Sequence, residues 1–389
     1  VNNYLHRWKV PANDFTRAQS VTLRGLMSHT GGFNVWGFPD FQPHEKLPTL
    51  IETLDGLPPE KTAPIRVEYV PGAQSRYSGG GVTVEQLVIE DVTGVSFPDA
   101  ARKYLLKPLV MTRSTFENPL PERHGNIAKA HNAKGEPVAL PRGFETMPET
   151  AASGLWTTPK DYAKVIIAIM AAWRGEANGI IDHSLAEEMM TEVGPGVSGL
   201  GAFLDGHGLT RRFSHSGAND SYKAWFEGHL ATGDGVVIMT NGASEGDLRT
   251  EVRRAVALAE GWAPAFQETV HVPAVHVSQA DIAANAGSYG LDIGSDTATR
   301  RAVFQVLLAG YLPDYEHLSF KVSAENGRLS LSSPNNPRPF KLIAEDRTHF
   351  LVENRPEIRI EFVRSYKGTV DELMIKTTDS VLTAKRVQP

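Results

Sequence analysis

The 389 residues contain no cysteine. That removes disulfides, a thiolate nucleophile and thiolate-bound metals, and it suits the periplasm and the cytosol equally. No apolar run reaches the roughly 18 residues that a membrane-spanning helix needs. No block of Lys and Arg stands out, and with a net charge of -6 this argues against a nucleic-acid partner. The H-E-x-x-H pair is absent too, so a metalloenzyme has little support, and His271 and His276 read as solvated. There is no fixed-period repeat and no low-complexity tract. The opening "VNNYLHRWKVPAND" has neither an initiator methionine nor the charged and apolar regions of a signal peptide. It reads as the inside of a longer polypeptide.

What is present is an ordinary globular composition, long enough for two or three domains. "VTLRGLMSHTGGF" predicts a short helix capped by Thr22, with Leu23, Leu26 and Met27 on one face and Gly31 or Gly32 ending it. An aromatic loop follows, with Trp36, Phe38 and Phe41 serving either as a lid or as packing. In "RYSGGGVTVEQLVIEDVTG", Thr83 and Gln86 match a capping box, and Val84, Leu87, Val88 and Val92 form a buried stripe. "TTPKDYAKVIIAIMAAW" predicts a helix with Thr158 as N-cap and Pro159 at the first position. "RRFSHSGANDSYKAWFEG" reads as a strand with a turn-like start, and "GDGVVIMTNG" completes a hairpin with it. "SEGDLRTEVRRAVALAEGW" follows as a helix with Leu248, Val252, Val256 and Ala259 inward.

A proline-bearing linker over residues 263–279 divides this region, residues 1–262, from residues 280–389. There, "LSFKVSAENGRLSLSS" and "IRIEFVRSYKGTVDELMIKTT" alternate apolar and polar residues around Asn-Gly and other turns. That pattern predicts a small all-β, barrel-like domain, interrupted by a helix in "RRAVFQVLLAGY".

Acyl transfer by a serine needs a base for the hydroxyl proton and donors for the oxyanion. Taken alone, Tyr77 is a loop aromatic, His215 a hairpin histidine, and His29 a structural residue tying a helix end to a loop. Their order, together with "VTLRGLMSHTGG", "YSGGGVTVEQLVIEDVTG", "GLWTTPKDYAKV" and "HSGANDSYKAWF", resembles the penicillin-recognising serine hydrolases. The nearest branch is that of class C β-lactamases, D,D-peptidases and esterases.

The resemblance implies an α+β fold, an antiparallel sheet flanked by helices with a helical region. It implies no cofactor, a small-molecule or peptide substrate, and a periplasmic or secreted location. It makes Tyr77 the catalytic tyrosine and His215-Ser216-Gly217 the strand that lines the cleft. Ala218 N–H then faces the oxyanion, and protonated His215 helps to supply the positive charge that a tyrosine of ordinary pKa about 10 needs.

Two departures stand out. Gly79 occupies the asparagine position of the family's Tyr-x-Asn loop, which removes an amide contact and points away from β-lactams toward D-residue peptides or esters. No Ser-x-x-Lys occurs anywhere; Thr157-Thr158-Pro159-Lys160 is a helix cap. The expectation is therefore that the nucleophile and its lysine lie upstream of Val1, in a continuous chain or in a complementing N-terminal fragment. The alternative is an inactive fragment, binding module or partner subunit that keeps a vestigial pocket.

Overall fold

The computed structural model describes residues 1–389 apart from 43, 140–145, 178, 244–245, 263–271, 273–274, 294–298, 300–301, 304–316, 334–335, 354, 378–379 and 388–389. His271, most of the expected linker and most of the expected helix over Arg300–Tyr311 lie outside the described residues; His276 is exposed. The chain divides into two compact units, Val1–Val256 and Ala257–Pro389.

The first unit combines helices with a four-stranded antiparallel sheet in the order β1 (Phe203–Asp205), β2 (Arg212–Ala218), β3 (Lys223–His229), β4 (Gly235–Thr240). The stretch expected to be one strand is itself a hairpin. Asn219–Tyr222 form its turn, and Ala218 pairs with Lys223. The turn-favouring residues thus close a strand rather than open one.

Local rules place the helices well where a cap is unambiguous. The Pro159–Trp173 helix starts with the Asp161 N–H on Thr158 Oγ1, and the Leu23–Met27 helix with the Gly25 N–H on Thr22 Oγ1. The helix after Tyr77 runs from Gly79 to Thr93, so it begins one turn before the Thr83 box. Its N-cap is Ser78. Val84, Leu87 and Val88 are buried as the stripe predicts, with Gln86 beside them, while Val92 in the last turn is exposed. Gln86 Oε1 accepts the Ala151 N–H from the short Thr150–Ser153 helix.

In the Gly246–Ala259 helix Val252 and Val256 are half-buried as expected, but Ala259 is exposed and the inward face centres elsewhere. Leu248 is exposed, whereas Arg253 and Ala257 are buried. The reason is a charge on the sheet. Glu227 on β3 is buried and takes Arg253 Nε at 3.0 Å and His229 Nε2 at 3.0 Å. The guanidinium lies 4.3 Å from the Trp225 ring centroid, a cation–π contact. The ion pair holds the Glu227 carboxyl well below its usual range despite burial. A buried carboxylate needs this partner more than the helix needs Leu248 inside.

The second unit is a closed eight-stranded antiparallel barrel. Its strands are β5 (Gly287–Asp292), β6 (His317–Glu325), β7 (Arg328–Ser333), β8 (Asn336–Ala344), β9 (His349–Val352), β10 (Arg355–Arg364), β11 (Val370–Lys376) and β12 (Val381–Arg386). Consecutive strands pair, and β12 returns to β5. Asn326 and Gly327, both at positive φ, make the two-residue β6–β7 turn. Inward positions such as Tyr289, Phe320, Phe350, Ile360, Phe362 and Leu373 form one buried cluster. The interior is a core rather than a lumen.

Replacing Arg253 by Met strands Glu227 in the interior. The expected cost is about 3–5 kcal/mol, read as a lowered urea midpoint by far-UV circular dichroism. An unchanged midpoint would show that the pair does not anchor this helix.

Candidate functional site

Four rings from separate parts of the first unit meet at one place. Tyr77 lies 4.2 Å from His29, 5.7 Å from His215 and 6.2 Å from Phe203, centroid to centroid. Phe203 stacks on His215 at 5.1 Å, and Phe226 lies behind His215 at 6.4 Å. His29 follows the Leu23–Met27 helix, Tyr77 precedes the Gly79–Thr93 helix, and Phe203 opens β1 beside His215 on β2.

The direction of the β2 backbone follows from two hydrogen bonds. The Asn219 N–H donates to Tyr222 O, and the Leu230 N–H to Arg211 O. Antiparallel pairing alternates every residue, so the odd-numbered residues of β2 bond to β3. The N–H and C=O groups of Ser216 and Ala218 point to the other side. There β1 covers only Arg212 to Ser214, and beyond Ser214 the edge has no strand partner among the described residues. His215 and Gly217 carry their side-chain positions on the face of the ring cluster, and Ser216 on the opposite face, beside its pair Trp225. The structure thus brings Tyr77, His215 and Gly217 to one place and offers the Ser216 and Ala218 N–H groups along its open edge.

Gly79 has another setting. It is buried, its N–H donates to Trp36 O at 3.0 Å, and a Cβ there would lie 3.1 Å from that oxygen and 3.2 Å from Phe38 Cε2. The Gly80 N–H donates to Val35 O, and Ser78 Oγ donates to Asn34 O. The glycine run is therefore the surface on which the backbone of the aromatic loop rests. Within that loop Phe41 is buried and Phe38 packs on the core, while Trp36 is 57% exposed.

The profile of the Beta-lactamase family matches residues 3–261. The chain belongs to the beta-lactamase family. No curated protein matches it. Similar solved structures include SurE with D-Leu, at 19% identity over 95% of this chain and 79% of the other, with a TM-score of 0.49. The octameric penicillin-binding protein homologue from Pyrococcus abyssi matches at 18% identity over 96% and 82%, TM-score 0.48. D-amino acid amidase from Ochrobactrum anthropi SV3 matches at 20% identity over 63% and 75%, TM-score 0.49.

Within this beta-lactamase-family fold the ring cluster is electrically quiet. Burial pushes the Tyr77 phenol up to about 12, with the negative charge of Glu85 adding to the effect. Burial pushes His29 down to about 3, and His215 lowers it further. His215 is itself lowered by burial, partly offset by its contact with Ser216 O, so it is neutral at pH 7 and supplies no positive charge there. Its Nδ1 lies 2.6 Å from Ser216 O, which puts the ring proton on Nδ1 and a lone pair on Nε2. Glu85, pushed up to about 8 by burial, keeps a buried Oε1 with no hydrogen-bond partner.

Phe203 and Glu85 were not legible as site residues. "GLGAFLDG" carries no signal for the first; the second could have been flagged as an acid between Val84 and Leu87 of the buried stripe. A further acidic group includes Asp40 of the aromatic loop. Asp40 Oδ2 accepts the Asp220 N–H of the β2–β3 turn, and Glu149 is pushed up to about 9, first by burial and then by Glu60 and Asp40. No helix among the described residues is long and apolar enough to cross a membrane, and no group of described residues could hold a metal ion.

Two outcomes follow. The Glu149 carboxyl is raised on folding, so folded chains hold a proton that unfolded chains have already lost between about pH 4.5 and 9. Its contribution is complete below that window and is lost as pH rises through it. Glu149→Gln, which mimics the protonated acid, is expected to flatten the fall in melting temperature from pH 6 to 9; an identical fall in both proteins counts against the shift. Gly79→Asn is expected to cost about 1–3 kcal/mol by overpacking against Trp36 O and Phe38, measured by thermal denaturation. A stable variant would mean that the loop can withdraw.

Proposed function

We propose that this chain forms the body of a serine hydrolase acting through an acyl-enzyme on acyclic amides, such as D-residue peptides, or on esters. The observation that carries the reading is the convergence of Tyr77 and His215, 138 positions apart in sequence, at 5.7 Å beside the open edge of β2. A substrate backbone laid along that edge pairs with Ser216 and Ala218, and the absent side chain at Gly217 lets it lie close. The Ala218 N–H then serves as one oxyanion donor, where fixed dipoles act without reorganising. The proton of the serine hydroxyl passes to Tyr77, with the His215 Nε2 lone pair as a further acceptor, and is returned to the leaving amine or alkoxide.

The electrostatics say what else such a site needs. A phenol near 12 is a poor base at pH 7, and it becomes a useful one only beside a cation. The resemblance implies that this cation is the family's lysine, and neither it nor the serine occurs in a Ser-x-x-Lys within these residues. We place both in polypeptide outside residues 1–389. The Gly79 wall carries no amide and its room is filled by the loop, which favours acyclic substrates over β-lactams. A second reading is a binding module with a vestigial pocket. The raised rather than lowered Tyr77 phenol favours it for residues 1–389 standing alone.

Fluorophosphonate labelling separates the two. This chain alone is expected to remain unlabelled, while a longer form bearing the upstream segment is labelled and loses the label when its serine is replaced. In that longer form Tyr77→Phe is expected to lower turnover by about 10²–10⁴-fold. Labelling of residues 1–389 alone overturns the placement of the nucleophile, and an unlabelled longer form favours the binding module.

A further inference from the structure

One residue to which the proposed chemistry gives no task grips Tyr77 from three directions. His29 has φ 59°, a left-handed backbone that residues other than glycine adopt at a cost. In that conformation its carbonyl accepts the Arg76 N–H at 2.7 Å, on one side of Tyr77. Its Nδ1 accepts the Ser78 N–H at 3.3 Å, on the other side. Between the two, its ring lies against the Tyr77 ring at 4.2 Å. Backbone before, backbone after and side chain are all set by a single residue, itself anchored by its own N–H on Leu26 O.

We infer that His29 is a positioning residue for Tyr77, holding the phenol on the wall of the site without touching the reacting atoms. The functional meaning of this rests on the proposed role of Tyr77; the contacts do not. The arrangement requires neutral imidazole with its proton on Nε2, because a protonated ring would set an N–H on Nδ1 against the Ser78 N–H. Burial supplies that neutrality and His215 adds to it; Tyr77 and Phe203 are the other rings beside it, and the nearest acid acting on this cluster, Glu85, is itself pushed up to about 8 by burial. The left-handed backbone brings the carbonyl and the ring to bear on residues 76–78 together, so the strain has a local use.

The test uses the full chain and two variants. His29→Asn keeps a residue tolerant of left-handed backbone and an oxygen able to accept the Ser78 N–H, but removes the ring. His29→Phe keeps a ring and removes the acceptor. The readouts are nitrogen-15 NMR of the parent imidazole and ultraviolet titration of Tyr77, isolated by difference against Tyr77→Phe. The parent His29 is expected to stay neutral from pH 5 to 8, and the Tyr77 phenol to ionise near 12. In the variants ionisation moves toward about 10 as the phenol loosens into water. If the Phe variant does not fold, the Asn variant decides. A lower melting temperature with unchanged phenol titration makes His29 merely structural and overturns the inference, as does an imidazole titrating near 6.5. Full turnover by Tyr77→Phe in the longer form would sink the proposed chemistry and leave the positioning result standing.

Discussion

Ser78 is the joint on which the first unit turns. Its hydroxyl accepts the Gly81 N–H and donates to Asn34 O, while its own N–H goes to His29 Nδ1. One short side chain thus caps a fifteen-residue helix, fastens the aromatic loop and fixes the residue after Tyr77. Helix starts leave several N–H groups without internal partners. Here they are met by the hydroxyl and by the carbonyls of Val35 and Trp36. The helix start and the wall of the site are therefore one hydrogen-bonded object.

That object encloses a set of ionisable groups of which none carries a charge with ease. Tyr77 and Glu85 are raised, and His29 and His215 are lowered, in each case mainly because burial disfavours the charged form. Elsewhere in the same unit, Glu227 and Arg253 are charged and buried because each answers the other. The contrast separates two uses of a polar interior. Glu227–Arg253 is complete in itself and fastens a helix to a sheet. The ring cluster is incomplete in charge, and an arriving cation would be felt strongly there because little water screens it.

The parts of the fold that obey local rules were readable in advance. The barrel strands show plain alternation and an Asn-Gly turn, and Thr158 with Pro159 marks a helix start by itself. The start at Ser78 was masked because Gly79-Gly80-Gly81 is a poor helix former, and what stabilises it comes from residues 34–36. Arg253 went unnoticed as a core residue because only the fold reveals Glu227 opposite. The order of Tyr77 and His215 with their flanking glycines singled out two residues whose rings the fold brings to 5.7 Å. Phe203 and Glu85 are brought toward Tyr77 by tertiary structure and leave little trace in spacing. The neutrality of His215 likewise follows from burial, which sequence does not display.

The aromatic loop meets the start of the helix through its carbonyls at Asn34, Val35 and Trp36 as well as through the Phe38 ring. Contacts made by main chain are indifferent to which residue supplies them. The scaffold can therefore hold the path of the loop constant while the outward side chain at position 36 is exchanged. At this joint the course of a loop is held by atoms that every residue has, answered by two glycine N–H groups and one serine hydroxyl.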